Sequence, residues 1–172
     1  AGVYVFRAAA LRAHIGGLTT DNAQGEMYLT DMVALLRGAG ESVAARTISD
    51  SSLVEGVNDR VQLAAAAARL NARVIRHWQL AGVTVQDPAT TWIDVTATLA
   101  PDVTLLPGTQ ILRATVIGAG ATIGPDTTLS DCEVGEGATI RRSDASLAVI
   151  GAGASVGPFA YLRPGTELGV DG

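Results

Sequence analysis

The stretch Ile93-Asp94-Val95-Thr96-Ala97-Thr98-Leu99-Ala100-Pro101-Asp102-Val103-Thr104-Leu105-Leu106-Pro107-Gly108-Thr109-Gln110-Ile111 carries a large aliphatic residue at every sixth position. The beat runs on through Ile117, Ile123 and Leu129, slips by one residue to Val134, reaches Ile140, and resumes at Ile150, Val156, Leu162 and Leu168. Four places after most of these stands a small residue: Ala97, Val103, Thr109, Thr115, Ala121, Thr127, Ala138, Ala154, Ala160 and Thr166. A period of six matches neither the 3.6 of a helix nor the 2 of a simple strand, so it marks a repeat architecture. The reading is a parallel β-helix, in which one aliphatic fills the axis of each short flat face and a small residue fits where the chain turns to the next. Three hexapeptides per turn stack Ile93, Ile111 and Leu129 in one column and Leu99 and Ile117 in another. The polar stretch Arg141 to Ala148 interrupts the beat and is expected to leave the prism as a loop at one corner.

Composition suits such a fold. Of the 172 residues 48% are apolar but only 4% aromatic, so the core must be aliphatic, and twenty glycines serve many tight turns. The net charge of −5 speaks against a nucleic-acid partner, which needs a basic face. One cysteine, Cys132, allows no internal disulfide and fits a reducing cytoplasm. No apolar run has the length of a membrane span. Both ends read as cut: the chain opens on Gly2-Val3-Tyr4-Val5-Phe6, a strand with no earlier partner, and Gly172 falls within a repeat.

Ahead of the repeat, residues 1–57 read as mixed α/β. Helical character is expected over Arg7–Ile15 and Glu26–Arg37, a loop over Gly16–Gly25, and a second strand over Ser42–Ile48. Residues 58–82 read as one long connecting helix. Asp59 with Gln62 three places on resembles a capping box, Asn58 is also a competent N-cap, and Gly82 is a natural stop. Leu63, Leu70, Val74 and Trp78 are its expected apolar stripe. Residues 83–172 form the repeat segment.

Few residues offer chemistry. Gly118-Ala119-Gly120-Ala121-Thr122-Ile123-Gly124 imitates a dinucleotide fingerprint, but no helix follows it, so corner glycines are the better reading. His14 and His77 both precede the repeat and cannot hold a metal between its rungs. Cys132 reads as a small buried residue. Arg163 follows the axial Leu162 and is fixed by Pro164; on its own it reads as a solvated arginine, though such an outward guanidinium on a rigid wall can grip a phosphate. The Asn58 amide oxygen could ligate a hard cation such as magnesium, but on its own it reads more simply as a cap.

Taken in order, four stretches resemble one family. They are Asn22-Ala23-Gln24-Gly25-Glu26-Met27-Tyr28-Leu29-Thr30-Asp31; Glu55-Gly56-Val57-Asn58-Asp59-Arg60-Val61-Gln62-Leu63; Leu80-Ala81-Gly82-Val83 with Asp87-Pro88; and Gly157-Pro158-Phe159-Ala160-Tyr161-Leu162-Arg163-Pro164-Gly165. The chain resembles the bacterial bifunctional N-acetylglucosamine-1-phosphate uridyltransferase / glucosamine-1-phosphate N-acetyltransferases. The resemblance implies a remnant of a Rossmann-like nucleotidyltransferase domain over 1–57, a connecting helix over 58–82, and the start of a left-handed parallel β-helix acetyltransferase domain over 83–172. It implies magnesium as cofactor, UTP and acetyl-CoA as co-substrates, glucosamine-1-phosphate and N-acetylglucosamine-1-phosphate as sugar ligands, and a cytoplasmic homotrimer that makes a cell-wall precursor. By the same resemblance Asn58 contacts UDP-N-acetylglucosamine and the magnesium ion, and Arg163 holds the phosphate of the acetyl acceptor.

The family's glycine-rich nucleotide loop with its lysine and metal-binding aspartate, and the later lysine, histidine, tyrosine and asparagines of its acetyltransferase site, have no counterpart within these residues. No catalytic residue is therefore expected here, and the segment by itself is expected to catalyse neither step. Asp59 stands where a second asparagine is common, and Met27 where a tyrosine is. The competing readings are another β-helix-tailed sugar-phosphate nucleotidyltransferase, which the Gly56-Val57-Asn58-Asp59-Arg60 and Leu162-Arg163-Pro164-Gly165 stretches fit poorly, and a non-catalytic β-helix trimerisation scaffold. A γ-type carbonic anhydrase is excluded, because the repeat has no histidine for zinc.

Overall fold

The computed structural model describes residues 2–172; Ala1, the first position of the 1–57 segment, lies outside them. The chain divides into two compact units, with the division between Val57 and Asn58.

In the first unit, α1 (Ala8–His14) lies against α2 (Met32–Gly38). Met32 and Leu36 are the buried residues of α2, and Arg7 pairs with Glu41 at 2.7 Å. The helix expected from Glu26 begins later: Leu29–Asp31 is a single 3-10 turn leading into α2, and the residues before it stay non-helical. The cause is local. Asn22 accepts at Oδ1 from the backbone N–H groups of Gln24 and Glu26, both at 3.2 Å, and Tyr28 donates to Gln24 Oε1 at 2.6 Å. These bonds wrap the Asn22–Tyr28 stretch into a closed loop that competes with helix. Neither expected strand forms, over Gly2–Phe6 or over Ser42–Ile48. A strand exists only through a paired neighbour, and among the described residues these two segments line a cleft of about 500 Å³ without a hydrogen-bonded ladder between them.

In the second unit, α3 (Arg60–Leu80) starts and stops as its sequence dictates. Asp59 caps it, accepting from Gln62 N at 2.7 Å, while Gln62 Oε1 reaches back to accept from Asn58 N at 2.8 Å. At the other end Gly82 turns the chain at φ +95°, with Gly82 N–H bonded to Gln79 O (3.2 Å) and Val83 N–H to Trp78 O (3.0 Å), the two bonds of a Schellman stop. The apolar stripe needs correction. Leu63 and Leu70 are exposed, and the inward face is Asn71, Val74, Ile75 and Trp78. Those positions follow i, i+3, i+4, i+7, so α3 meets the repeat only with its C-terminal half.

The repeat folds into fifteen short parallel strands, numbered in chain order, in three five-stranded sheets. The first holds β1 (Thr84–Val85), β4 (Thr104–Leu105), β7 (Thr122–Ile123), β10 (Thr139–Ile140) and β13 (Ser155–Val156). The second holds β2 (Trp92–Ile93), β5 (Gln110–Leu112), β8 (Thr128–Ser130), β11 (Asp144–Ser146) and β14 (Tyr161–Leu162). The third holds β3 (Thr98–Leu99), β6 (Val116–Ile117), β9 (Glu133–Val134), β12 (Val149–Ile150) and β15 (Glu167–Leu168). Every third strand pairs, which makes a parallel β-helix of five coils. Ile93 faces Ile111 and Ile111 faces Leu129, while Leu99 faces Ile117, the columns expected from the hexad.

Each strand turns one residue out and the next in; the outward residue is polar in most strands but Trp92, Val116 and Val149 in β2, β6 and β12. From Leu105 to Ile140 the axial side chains are at most 5% exposed, so each contributes roughly 1.5–3 kcal/mol of burial. The corner threonines are buried yet satisfied: Thr109 Oγ1 and Thr115 Oγ1 each donate to the carbonyl three residues back, Leu106 O and Leu112 O, at 2.7 Å. Cys132 takes a corner position, fully buried, with its N–H bonded to Thr115 Oγ1 at 3.2 Å.

The interruption over Arg141–Ala148 does not leave the prism. It forms β11, with Ala145 at the axial position, 1% exposed and in register between Leu129 and Leu162. Here the inward positions Ile140, Ala145 and Ile150 are five apart, so both corners are one residue shorter and the hexad rule misses them. Arg141, Arg142 and Asp144 point outward, and the inward Ser143 closes the corner by donating to Arg141 O at 2.8 Å.

Candidate functional site

Asn58 and Arg163 are the two residues to which the family resemblance assigns ligands. Asn58 immediately precedes the capped start of α3, whereas Arg163 follows β14 in the last coil. Arg163 lies beyond β14 at one end of sheet two, and α3 packs against β2 at the other end. Four strand spacings of about 4.8 Å separate those ends by roughly 19 Å.

Arg163 sits on a turn whose geometry its neighbours dictate. Thr166 N–H closes onto Arg163 O at 3.0 Å, Pro164 follows, and Gly165 takes φ +84°. Proline at the second position and glycine with positive φ at the third are the requirements of a type II turn. Gly165 N–H is further tied to Leu147 O on the coil beneath at 2.9 Å. The backbone under Arg163 is thus fixed at both ends while the side chain is exposed, and among the described residues no carboxylate pairs with it. A held, unpaired guanidinium suits a planar or tetrahedral oxyanion.

Asn58 is exposed, and its role in the cap is confined to its backbone N–H; the capping side chain is Asp59. That corrects the reading in which Asn58 caps the helix, and it leaves the Asn58 amide available to a ligand. Magnesium takes about six oxygens in a near-octahedral set, usually with one or two carboxylates. Asn58 offers one neutral oxygen, and the adjacent Asp59 spends Oδ1 on Gln62. Among the described residues no three His, Cys, Asp or Glu side chains converge as a metal set. These residues do not by themselves fit magnesium; Asn58 can supply one vertex.

The remaining candidates are accounted for by packing. His14 lies in α1, and His77 in α3 stands edge-on to Trp78 at 5.0 Å. The glycines of the Gly118–Gly124 stretch lie at corners between β6, β7 and the strand's end, with no helix after them. No helix among the described residues is long and apolar enough to cross a membrane. Sequence reasoning passed over Asn71, a buried amide in the interior of α3; its signal was a polar residue on the i, i+3, i+4 face of the helix.

No family model matches the chain. Among curated relatives it is 67% identical over all 172 residues to the bifunctional protein GlmU of Clavibacter sepedonicus. This chain is GlmU-like along its whole length. The GlmU proteins of Leifsonia xyli subsp. xyli and Mycolicibacterium vanbaalenii are 69% and 58% identical over the same 172 residues. In each case the chain spans about a third of the relative, 35% of its length. The resemblance drawn from the Asn22–Asp31, Glu55–Leu63 and Gly157–Gly165 stretches therefore holds across every part of the chain.

Proposed function

We propose that this chain is part of a bifunctional GlmU enzyme that builds UDP-N-acetylglucosamine in two steps. In the first, the amine of glucosamine-1-phosphate attacks the thioester carbonyl of acetyl-CoA, forming the amide and releasing the CoA thiol. In the second, a phosphate oxygen of N-acetylglucosamine-1-phosphate attacks the α-phosphorus of UTP and releases pyrophosphate. The observation that supports this most is 56–69% identity to proteins of that name over essentially the entire chain, including the segments around Asn58 and Arg163.

In this reading residues 1–57 belong to a Rossmann-like uridyltransferase domain, 58–82 connect, and 83–172 begin a left-handed β-helix acetyltransferase domain. The whole protein is a cytoplasmic homotrimer. Arg163 holds the phosphate of the acetyl acceptor through paired, charge-assisted N–H donors. The Asn58 amide contacts UDP-N-acetylglucosamine; with further oxygens from outside these residues it would give one vertex to magnesium, whose charge would offset that of the nucleotide phosphates.

Because Asp59 and not Asn58 caps α3, the two jobs can be separated. Asn58→Ala in the full-length protein is expected to lower uridylyl transfer by about tenfold or more while leaving acetyl transfer and the thermal midpoint unchanged. Equal loss of both activities, or no loss of uridylyl transfer, would remove Asn58 from the nucleotide site.

A further inference from the structure

Sheet two ends at β2, whose one strand neighbour is β5. In that pairing Trp92 and Asp94 direct their N–H groups to Thr109 O (2.9 Å) and Ile111 O (2.8 Å). The C=O of Thr91 and the N–H of Ile93 consequently face the opposite way, off the end of the stack. One side chain meets both: Asn71 Nδ2 donates to Thr91 O at 2.7 Å, and Asn71 Oδ1 accepts from Ile93 N at 3.1 Å. A residue of one more parallel strand would make the same two bonds with its own N–H and C=O. The amide group of asparagine carries the same donor and acceptor as a peptide unit.

We infer that Asn71 is a surrogate strand. Through it α3 closes the open edge of sheet two and denies that edge to a strand from a second copy of this chain. An unpaired edge is a template for such addition, and the placement is specific. Asn71 is 8% exposed, on the same helix face as Ile75, which is 3% exposed and part of the core. Mid-helix asparagine has no propensity advantage to explain its presence. Among the described residues no side chain takes the equivalent groups of β1 (Val83 O, Val85 N) or β3 (Ala97 O, Leu99 N). Sheet two alone is closed in this way.

Residue-resolved hydrogen exchange on the full-length protein tests the inference. In the unaltered chain the Ile93 amide is expected to exchange about tenfold or more slowly than the Leu99 amide, which holds the same edge position in sheet three. Asn71→Leu should accelerate Ile93 by a similar factor and make the chain associate as its concentration rises. Asn71→Asp keeps the acceptor and loses the donor, so it should leave Ile93 slower than the leucine variant does. Ile93 exchanging as fast as Leu99 in the unaltered chain overturns the surrogate strand even if the leucine variant does not fold. A folded leucine variant that keeps the oligomeric state of the unaltered protein at every concentration overturns the edge-blocking role.

Discussion

Arg163→Ala in the full-length protein is expected to reduce acetyl transfer to glucosamine-1-phosphate by about 100-fold or more while uridylyl transfer runs unchanged. Two hydrogen bonds between a guanidinium and a phosphate are each worth roughly 1.5–3 kcal/mol, and about 3 kcal/mol lost from the transition state is more than 100-fold in rate. The loss should be visible in kcat/KM for the sugar phosphate. The fold should not respond, because the turn is held by backbone bonds from Thr166 and Gly165 and by Pro164, and the side chain is exposed. Arg163→Lys retains the charge but not the fork, so only partial activity should return. No loss would show that Arg163 is a solvated side chain, and a parallel loss of both activities would show a structural role instead of phosphate binding.

A second large effect is structural. Gly135→Ala should cost about 3 kcal/mol, read as a lower urea midpoint. Gly118, Gly135, Gly151 and Gly169 form a column at the corner after the strands of sheet three. A Cβ on Gly135 would lie 2.7 Å from Ala152 Cα and 2.7 Å from the Gly151 carbonyl carbon. These are backbone atoms, and the ladder bonds Gly135 N to Ile150 O (2.7 Å) and Gly153 N to Glu136 O (2.8 Å) pin them there. The coils can accept the methyl only by moving apart, against a total stability of about ten kcal/mol for a domain of this size. The chain contains its own control. Gly38, the last residue of α2, has no positive φ and nothing within 4 Å of an added Cβ, so Gly38→Ala should stay within about 0.5 kcal/mol. Equal effects at the two positions would mean that close packing of successive corners is not what the glycines provide.

Ile93, Ile111 and Leu129 were legible in the sequence because a β-helix repeats one environment, and that repetition is written as a period. The period fails where the corner shortens. At Ala145 the inward residue is small and five places from its neighbours, so neither size nor spacing betrays it, and only the columns above and below it do. Asp59, Gln62 and Gly82 were legible because capping is chemistry within one turn. The inward face of α3 was misread at Leu63 and Leu70, since an apolar residue on a helix says nothing about how far its partner extends. Asn71 showed only as a polar residue among apolar helix positions, and its role could not be read because its partners, Thr91 and Ile93, are twenty and twenty-two residues away. The strands expected over Gly2–Phe6 and Ser42–Ile48 depend on neighbours rather than on their own composition. Arg163 and Asn58 could be singled out only through their resemblance to a family, because an exposed arginine or asparagine has no local signature of the ligand it takes.

We propose that one polypeptide carries both transfers. The full-length protein, incubated with glucosamine-1-phosphate, acetyl-CoA, UTP and magnesium, should yield UDP-N-acetylglucosamine with one CoA thiol and one pyrophosphate released for each molecule formed. Pyrophosphate release with no CoA thiol, CoA thiol with no nucleotide sugar, or neither product would contradict it.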